Sequence, residues 1–215
     1  MRLVSVLALL ALLCACAAKA PAPPRPVAAP QPLEVLFPAA GLRLSYDPTL
    51  VRRADGPPTS APFVLTAKSG PLEDEADAAK LAQGRFGSTP SVAVPGTLSV
   101  RHLPSGLNAK LFLAVRPDPC SPVLARAAIV YSAHSQLFLL LTAPLNETAA
   151  ANPQFFSRDL PDCPSRLAWA EGNTKVPRTL HEAAQNGTLK DPADKWYPAF
   201  DAILNSIAPT SNPTE

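Results

Sequence analysis

The segments 108–115 (NAKLFLAV), 126–131 (RAAIVY) and 136–142 (QLFLLLT) decide the fold. Each has the length of a single strand and is bounded by turn-forming residues, and the last two hold so few polar side chains that both faces must be buried. Upstream, Leu98-Ser99-Val100-Arg101-His102-Leu103 alternates apolar and polar, and Pro104-Ser105-Gly106 supplies a turn into the next run. Short connections of this kind favour an antiparallel meander over parallel crossovers. This sheet is the expected core.

Moving outward toward the N-terminus, Gly41 to Tyr46 also alternates, as a half-buried strand does, and Asp47-Pro48 turns it. Residues 62–68 (PFVLTAK) form another expected strand after the Gly56-Pro57-Pro58 turn. The period then changes. Pro71, the acidic run Glu73-Asp74-Glu75 and a face of Leu72, Ala76, Ala79 and Ala82 predict a helix that stops at Gly84. Its acidic start reads as a solvated helix N-terminus, since no further metal ligands converge from nearby sequence.

Toward the C-terminus the pattern weakens between about 144 and 190, which reads as an insertion. Within it, Thr179-Leu180-His181-Glu182 matches a capping box, predicting a short helix that ends at Gly187. Asp191-Pro192 is expected to open the clearest helix of the chain. There Trp196, Phe200, Ile203, Leu204 and Ile207 recur with helical spacing, and Pro209 ends the run. The expected fold class is α+β, an antiparallel β-sheet packed by helices in one domain over 33–209, followed by a tail at 210–215.

Composition narrows the function classes. The chain has 215 residues, 47% hydrophobic, and a formal charge of +2 that falls to +1 once Arg2 is removed. A nearly neutral body lacks the basic footprint of a nucleic-acid binder. At the N-terminus, Arg2 precedes the apolar run Leu3 to Leu13, too short for the roughly 20 residues of a membrane span. This is the layout of a secretory signal peptide, expected over 1–15. Leu13-Cys14-Ala15-Cys16 resembles the lipobox of bacterial lipoproteins, with Cys16 as the lipidated residue. That resemblance implies acyl chains such as palmitate on Cys16 and anchoring to a membrane from the periplasmic side of a bacterial envelope. Ala17 rather than Asp after the cysteine resembles the outer-membrane pattern. Residues 17–32, dense in proline (KAPAPPRPVAAPQP from 19), then read as an extended tether with a reach of roughly 40 Å.

The envelope address bears on the cysteines. Cys120 and Cys163 remain as an even pair in an oxidising compartment, with no CxxC spacing and no histidine beside either. A structural disulfide between them is expected, contributing roughly 4 kcal/mol on the chain-entropy account. Catalytic motifs are not found. His181-Glu182-Ala183-Ala184-Gln185 imitates the HExxH zinc signature, but Gln185 replaces the second histidine, so the metal reading is rejected. No GxSxG elbow and no phosphate-binding loop occurs. His102, His134 and His181 are the available imidazoles, and a triad built from His134 with Ser132 or Ser135 would have to be assembled by the fold. The sequence therefore names no catalytic, cofactor-binding or metal residue.

Leu44-Ser45-Tyr46-Asp47-Pro48, the acidic-start helix, the meander and the closing helix Phe200 to Ile207 resemble the PsbP-like α/β/α sandwich, including DcrB-type lipoproteins. The resemblance would cover about 41–207, and it departs at Thr49-Leu50 and in the long insertion. Its better-known members are scaffolding or assembly proteins, which implies a non-catalytic module that binds another protein or the cell wall. An envelope hydrolase with a site formed only by the fold, or a small-ligand carrier with a cavity between the sheet and the last helix, are the alternatives.

Overall fold

A computed structural model describes residues 30–71, 92–116, 123–133, 135–155 and 175–210. The expected signal peptide, Cys16, most of the tether, the helix over 71–84, His134, Cys120 and Cys163 lie outside the described residues. The described chain is α+β. Ten strands run in the order β1 (Leu33–Phe37), β2 (Leu42–Tyr46), β3 (Val51–Arg53), β4 (Phe63–Pro71), β5 (Val92–Ala93), β6 (Ser99–His102), β7 (Asn108–Arg116), β8 (Val123–Tyr131), β9 (Ser135–Pro144) and β10 (Ala208–Pro209). Among the described residues three α-helices lie between β9 and β10: α1 (Leu145–Ala151), α2 (Lys175–Gln185) and α3 (Trp196–Ser206).

The strands build two sheets. The larger runs β3-β4-β9-β8-β7-β5, with β6 also on β7, and the smaller runs β1-β2-β10. The meander β6-β7-β8-β9 is antiparallel throughout. Beyond it, β4 joins the free edge of β9 with Leu65 opposite Leu141. The expected antiparallel sheet is found, with one addition at its edge, where β3 pairs parallel to β4. Only three residues long, β3 leads into β4 through the loop containing Gly56, and Phe63 N donates to Leu50 O where the two strands meet. Residues 54–62 return the chain in the same direction without a helix.

β8 and β9 are buried on both faces, as their composition implied. From Leu124 to Val130 only Arg126 is not fully buried. The period-2 rule then sorts their side chains into two layers. Leu124, Ala128, Val130, Leu137, Leu139 and Leu141 join the main core, whereas Ala125, Ala127, Ile129 and Leu140 join a second cluster with Phe112 on the opposite face.

The main core is closed by α3. Trp196, Phe200, Ile203, Leu204 and Ile207 are each at most 1% exposed and belong to the same cluster as Phe37, Leu42, Leu44 and Tyr46 of the smaller sheet. The helix begins later than the sequence suggested. A 3-10 turn at Ala193–Lys195 follows Pro192, and the α-helix proper starts at Trp196, whose indole N–H donates to Leu141 O at 2.9 Å. After Ile207 the chain turns straight into β10, where Pro209, which has no N–H to give, sits on the outermost strand.

The expected capping box is also corrected. Thr179 lies inside α2, which starts at Lys175. Pro177 falls in the first turn, where its missing N–H removes no helical bond, so the helix extends upstream of it. The end was read correctly: Gly187 takes φ +65°, with Gly187 N to Ala184 O at 3.3 Å and Thr188 N to Ala183 O at 2.9 Å, a Schellman closure. Within the expected insertion, α1 had no sequence signal of its own. Asn152, fully buried at its end, bonds Thr148 O through Nδ2 and receives Lys190 N on Oδ1, tying α1 to the approach of α3.

Leu139→Ala is expected to lower unfolding free energy by about 2–5 kcal/mol through transfer loss plus a residual cavity. Leu36→Ala, at a position 57% exposed on β1, should change it by less than about 0.5 kcal/mol in the same denaturant titration.

Candidate functional site

The most unusual polar grouping lies where β8 meets α3. Arg126 stands in a row of the larger sheet whose other members are Leu65, Leu141 and Leu113. Its side chain is 12% exposed. A guanidinium at such a place needs compensation. Part of it comes from the helix: the guanidinium carbon lies 3.8 Å from the Tyr197 ring centroid and 5.4 Å from that of Phe200. A desolvated cation over an aromatic face is worth about 2 kcal/mol.

One carboxylate serves two arginines. Asp201 Oδ1 accepts from Arg101 Nη1 at 2.8 Å and lies 3.8 Å from Arg126 Nη2. Arg101 also donates through Nη2 to Asn205 Oδ1 at 2.8 Å, so β6 is latched to α3. Nε and Nη1 of Arg126 are buried without a hydrogen-bond partner. The cluster thus carries excess positive charge beneath α3.

That charge shapes its neighbours. The Tyr197 hydroxyl and His181 Nδ1 share a hydrogen bond, with ring centroids 5.6 Å apart. Burial pushes the Tyr197 phenol up to about 12, against the opposing pull of Arg126. Burial, and then the Arg126 charge, hold the His181 imidazole below its ordinary value near 6.5, while Glu182 works the other way. At neutral pH the pair is a protonated phenol and a neutral imidazole. It could pass a proton between its members, but among the described residues His181 is joined to neither a serine hydroxyl nor a carboxylate.

The remaining candidates are not brought together. His102 lies exposed at the end of β6, opposite Asn108. Ser132 and Ser135 close the β8–β9 turn, with their hydroxyls 2.8 Å apart and Ser132 Oγ 3.0 Å from Ser135 O. Gln185 is exposed on α2. Among the described residues no group of three or more histidine, cysteine, aspartate or glutamate side chains is placed to hold a metal ion. No described helix is long and apolar enough to cross a membrane.

Among the described residues one cleft lies at the approach to α3 and another along it. One of about 290 Å³ is bordered by Arg52, Pro62, Phe63, Glu147, Thr148 and Pro192. The other, about 220 Å³, lies along α3 beside the β2–β3 turn, and its apolar wall is made by Tyr46, Leu50, Val51, Pro198, Ala199 and Ile203.

Sequence reading missed Arg126 because it placed that residue at the start of a strand. The signal was present in Leu124-Ala125-Arg126-Ala127-Ala128, an arginine flanked on both sides by apolar residues. No family model, curated protein or solved structure matches the chain.

Because folding depresses the His181 value, the unfolded chain takes up a proton first as pH falls. The associated stability is complete above about pH 6.5 and is lost as pH drops through the folded value. His181→Gln should flatten this dependence in denaturant titrations between pH 7.5 and 4.5. In Arg126→Met the His181 titration followed by NMR should move upward, because a repelling cation is gone.

Proposed function

We propose that the chain is a lipid-anchored, non-catalytic binding module on the periplasmic side of a bacterial envelope. The observation that carries this reading is Leu13-Cys14-Ala15-Cys16 at the end of an apolar run, followed by a proline-rich stretch that meets the folded domain at Leu33. An acylated Cys16 would hold the chain at a membrane, with about 0.8 kcal/mol for each buried CH₂. The proline-rich tether would hold the α+β body away from the headgroups. The PsbP-like resemblance, with its assembly proteins, favours a protein or cell-wall partner met by surface contact. The first partner in this reading is the membrane itself, through Cys16. A disulfide between Cys120 and Cys163 belongs to the same proposal.

One observation favours a second reading, a carrier of small apolar ligands. The 220 Å³ groove runs between the last helix and the turn after β2, with an almost wholly apolar wall. Saturable binding of a fatty-acid probe, lost in Ala202→Trp, would support it; unchanged binding in that variant would remove it.

For the anchor, Cys16→Ala should move the protein from the membrane to the soluble periplasmic fraction, and unchanged fractionation would overturn lipidation at Cys16. For the disulfide, Cys120 and Cys163 should resist alkylation until a reductant is added, and free labelling of both would remove the bridge.

A further inference from the structure

The larger of the two clefts gathers groups that are far apart in the chain. It opens where β4 begins and β9 ends: Val64 lies opposite Thr142, and Phe63 and Ala143 both reach its wall. Arg52 borders it from β3, Thr59 from the loop before β4, Glu147 from the first turn of α1, and Pro192 from the approach to α3. The core holds its floor in place. Phe63, Ala143 and Ala193 are each at most 3% exposed, and Pro62, Val64 and Pro192 are half-buried beside them.

Two opposite charges border this cleft, and they do not meet across it. Arg53, the next residue along β3, is paired with Asp55. The half-buried Arg52 has neither hydrogen bond nor ion pair among the described residues, and Glu147, exposed on α1, has none either. A guanidinium partly withdrawn from water without a partner is costly to the fold. Nearby, Thr59 Oγ1 accepts from Ala61 N at 3.3 Å, which leaves its O–H to donate.

We propose that the cleft binds a single zwitterionic amino acid with an apolar side chain. Its carboxylate lies on Arg52, whose planar fork matches that group, and on the Thr59 hydroxyl. Its ammonium lies on Glu147, and its side chain rests against Pro62, Val64 and Pro192. A simple anion would satisfy Arg52 and be repelled by Glu147, and a simple cation would reverse the mismatch. An uncharged apolar molecule would cover both charges and pair neither. Size sets the other bound: a volume of about 290 Å³ is at the lower end of small-molecule clefts, which suits one amino acid better than a length of chain. This goes beyond the anchored-module reading, and fractionation of Cys16→Ala can fail without touching it.

The test is an NMR titration of the ¹⁵N-labelled full chain in detergent micelles with L-leucine. The Val64 and Glu147 backbone signals should shift saturably. N-acetyl-L-leucine lacks the cation, L-leucinamide lacks the anion and glycine lacks the apolar side chain, so each should bind at least tenfold more weakly. Arg52→Gln and Glu147→Gln should each weaken leucine binding at least tenfold. Glu147→Gln should also lose the preference for leucine over N-acetyl-L-leucine. Both changes remove charges that hold no partner, so the melting temperature should stay within about two degrees. Should Arg52→Gln not fold, Glu147→Gln, at an exposed position, carries the comparison. No saturable shift with leucine, equal binding of any of the three analogues, or unchanged leucine binding in the folded variants would each overturn the proposal.

Discussion

Two sheets that share no strand are held together by the apolar stripe of α3. The smaller sheet buries Phe37, Leu42, Leu44 and Tyr46, the larger one buries Leu137, Leu139 and Leu141, and both sets belong to one cluster with Trp196, Phe200, Ile203, Leu204 and Ile207. Each large side chain removed from water contributes about 1.5–3 kcal/mol, so this one helix carries much of the tertiary stability. Directional bonds then fix its position. The Trp196 indole reaches Leu141 O, and Ser206 Oγ, at the other end, donates to Ser45 O at 3.0 Å and accepts from Ser45 N at 2.8 Å.

That position explains why a charged residue is tolerated in the middle of the sheet. Arg126 is buried by the same helix that supplies Tyr197, Phe200 and Asp201 to it. The aromatic faces and the shared carboxylate offset part of the desolvation of the guanidinium, and the remaining field adds to burial, the larger cause, in holding His181 below its ordinary value. The group acts on packing and on the protonation of its neighbours. It locks β6 and β8 to the helix.

The opposite face is organised differently. Its apolar centre of Phe112, Ala127, Ile129 and Leu140 gives way at one end to Tyr131 and Gln136 with unmet polar atoms.

Sequence alone determined the strands β2, β4, β6, β7, β8 and β9, the helical stripe of α3, the Gly187 stop and the α+β class. In each case a local period or a turn residue reports directly on backbone geometry and burial. It missed β1, β3, β5 and β10, whose two to five residues are too few to show a period and are strands only because β2, β4 and β7 lie beside them. It also missed α1, which is held by the distant bond from Lys190 N to Asn152. The polar clusters depended wholly on the tertiary structure. Arg126 meets Tyr197, and Gln136 meets Tyr131, through ladder register and helix placement, and neither quantity is written in the local pattern of the chain.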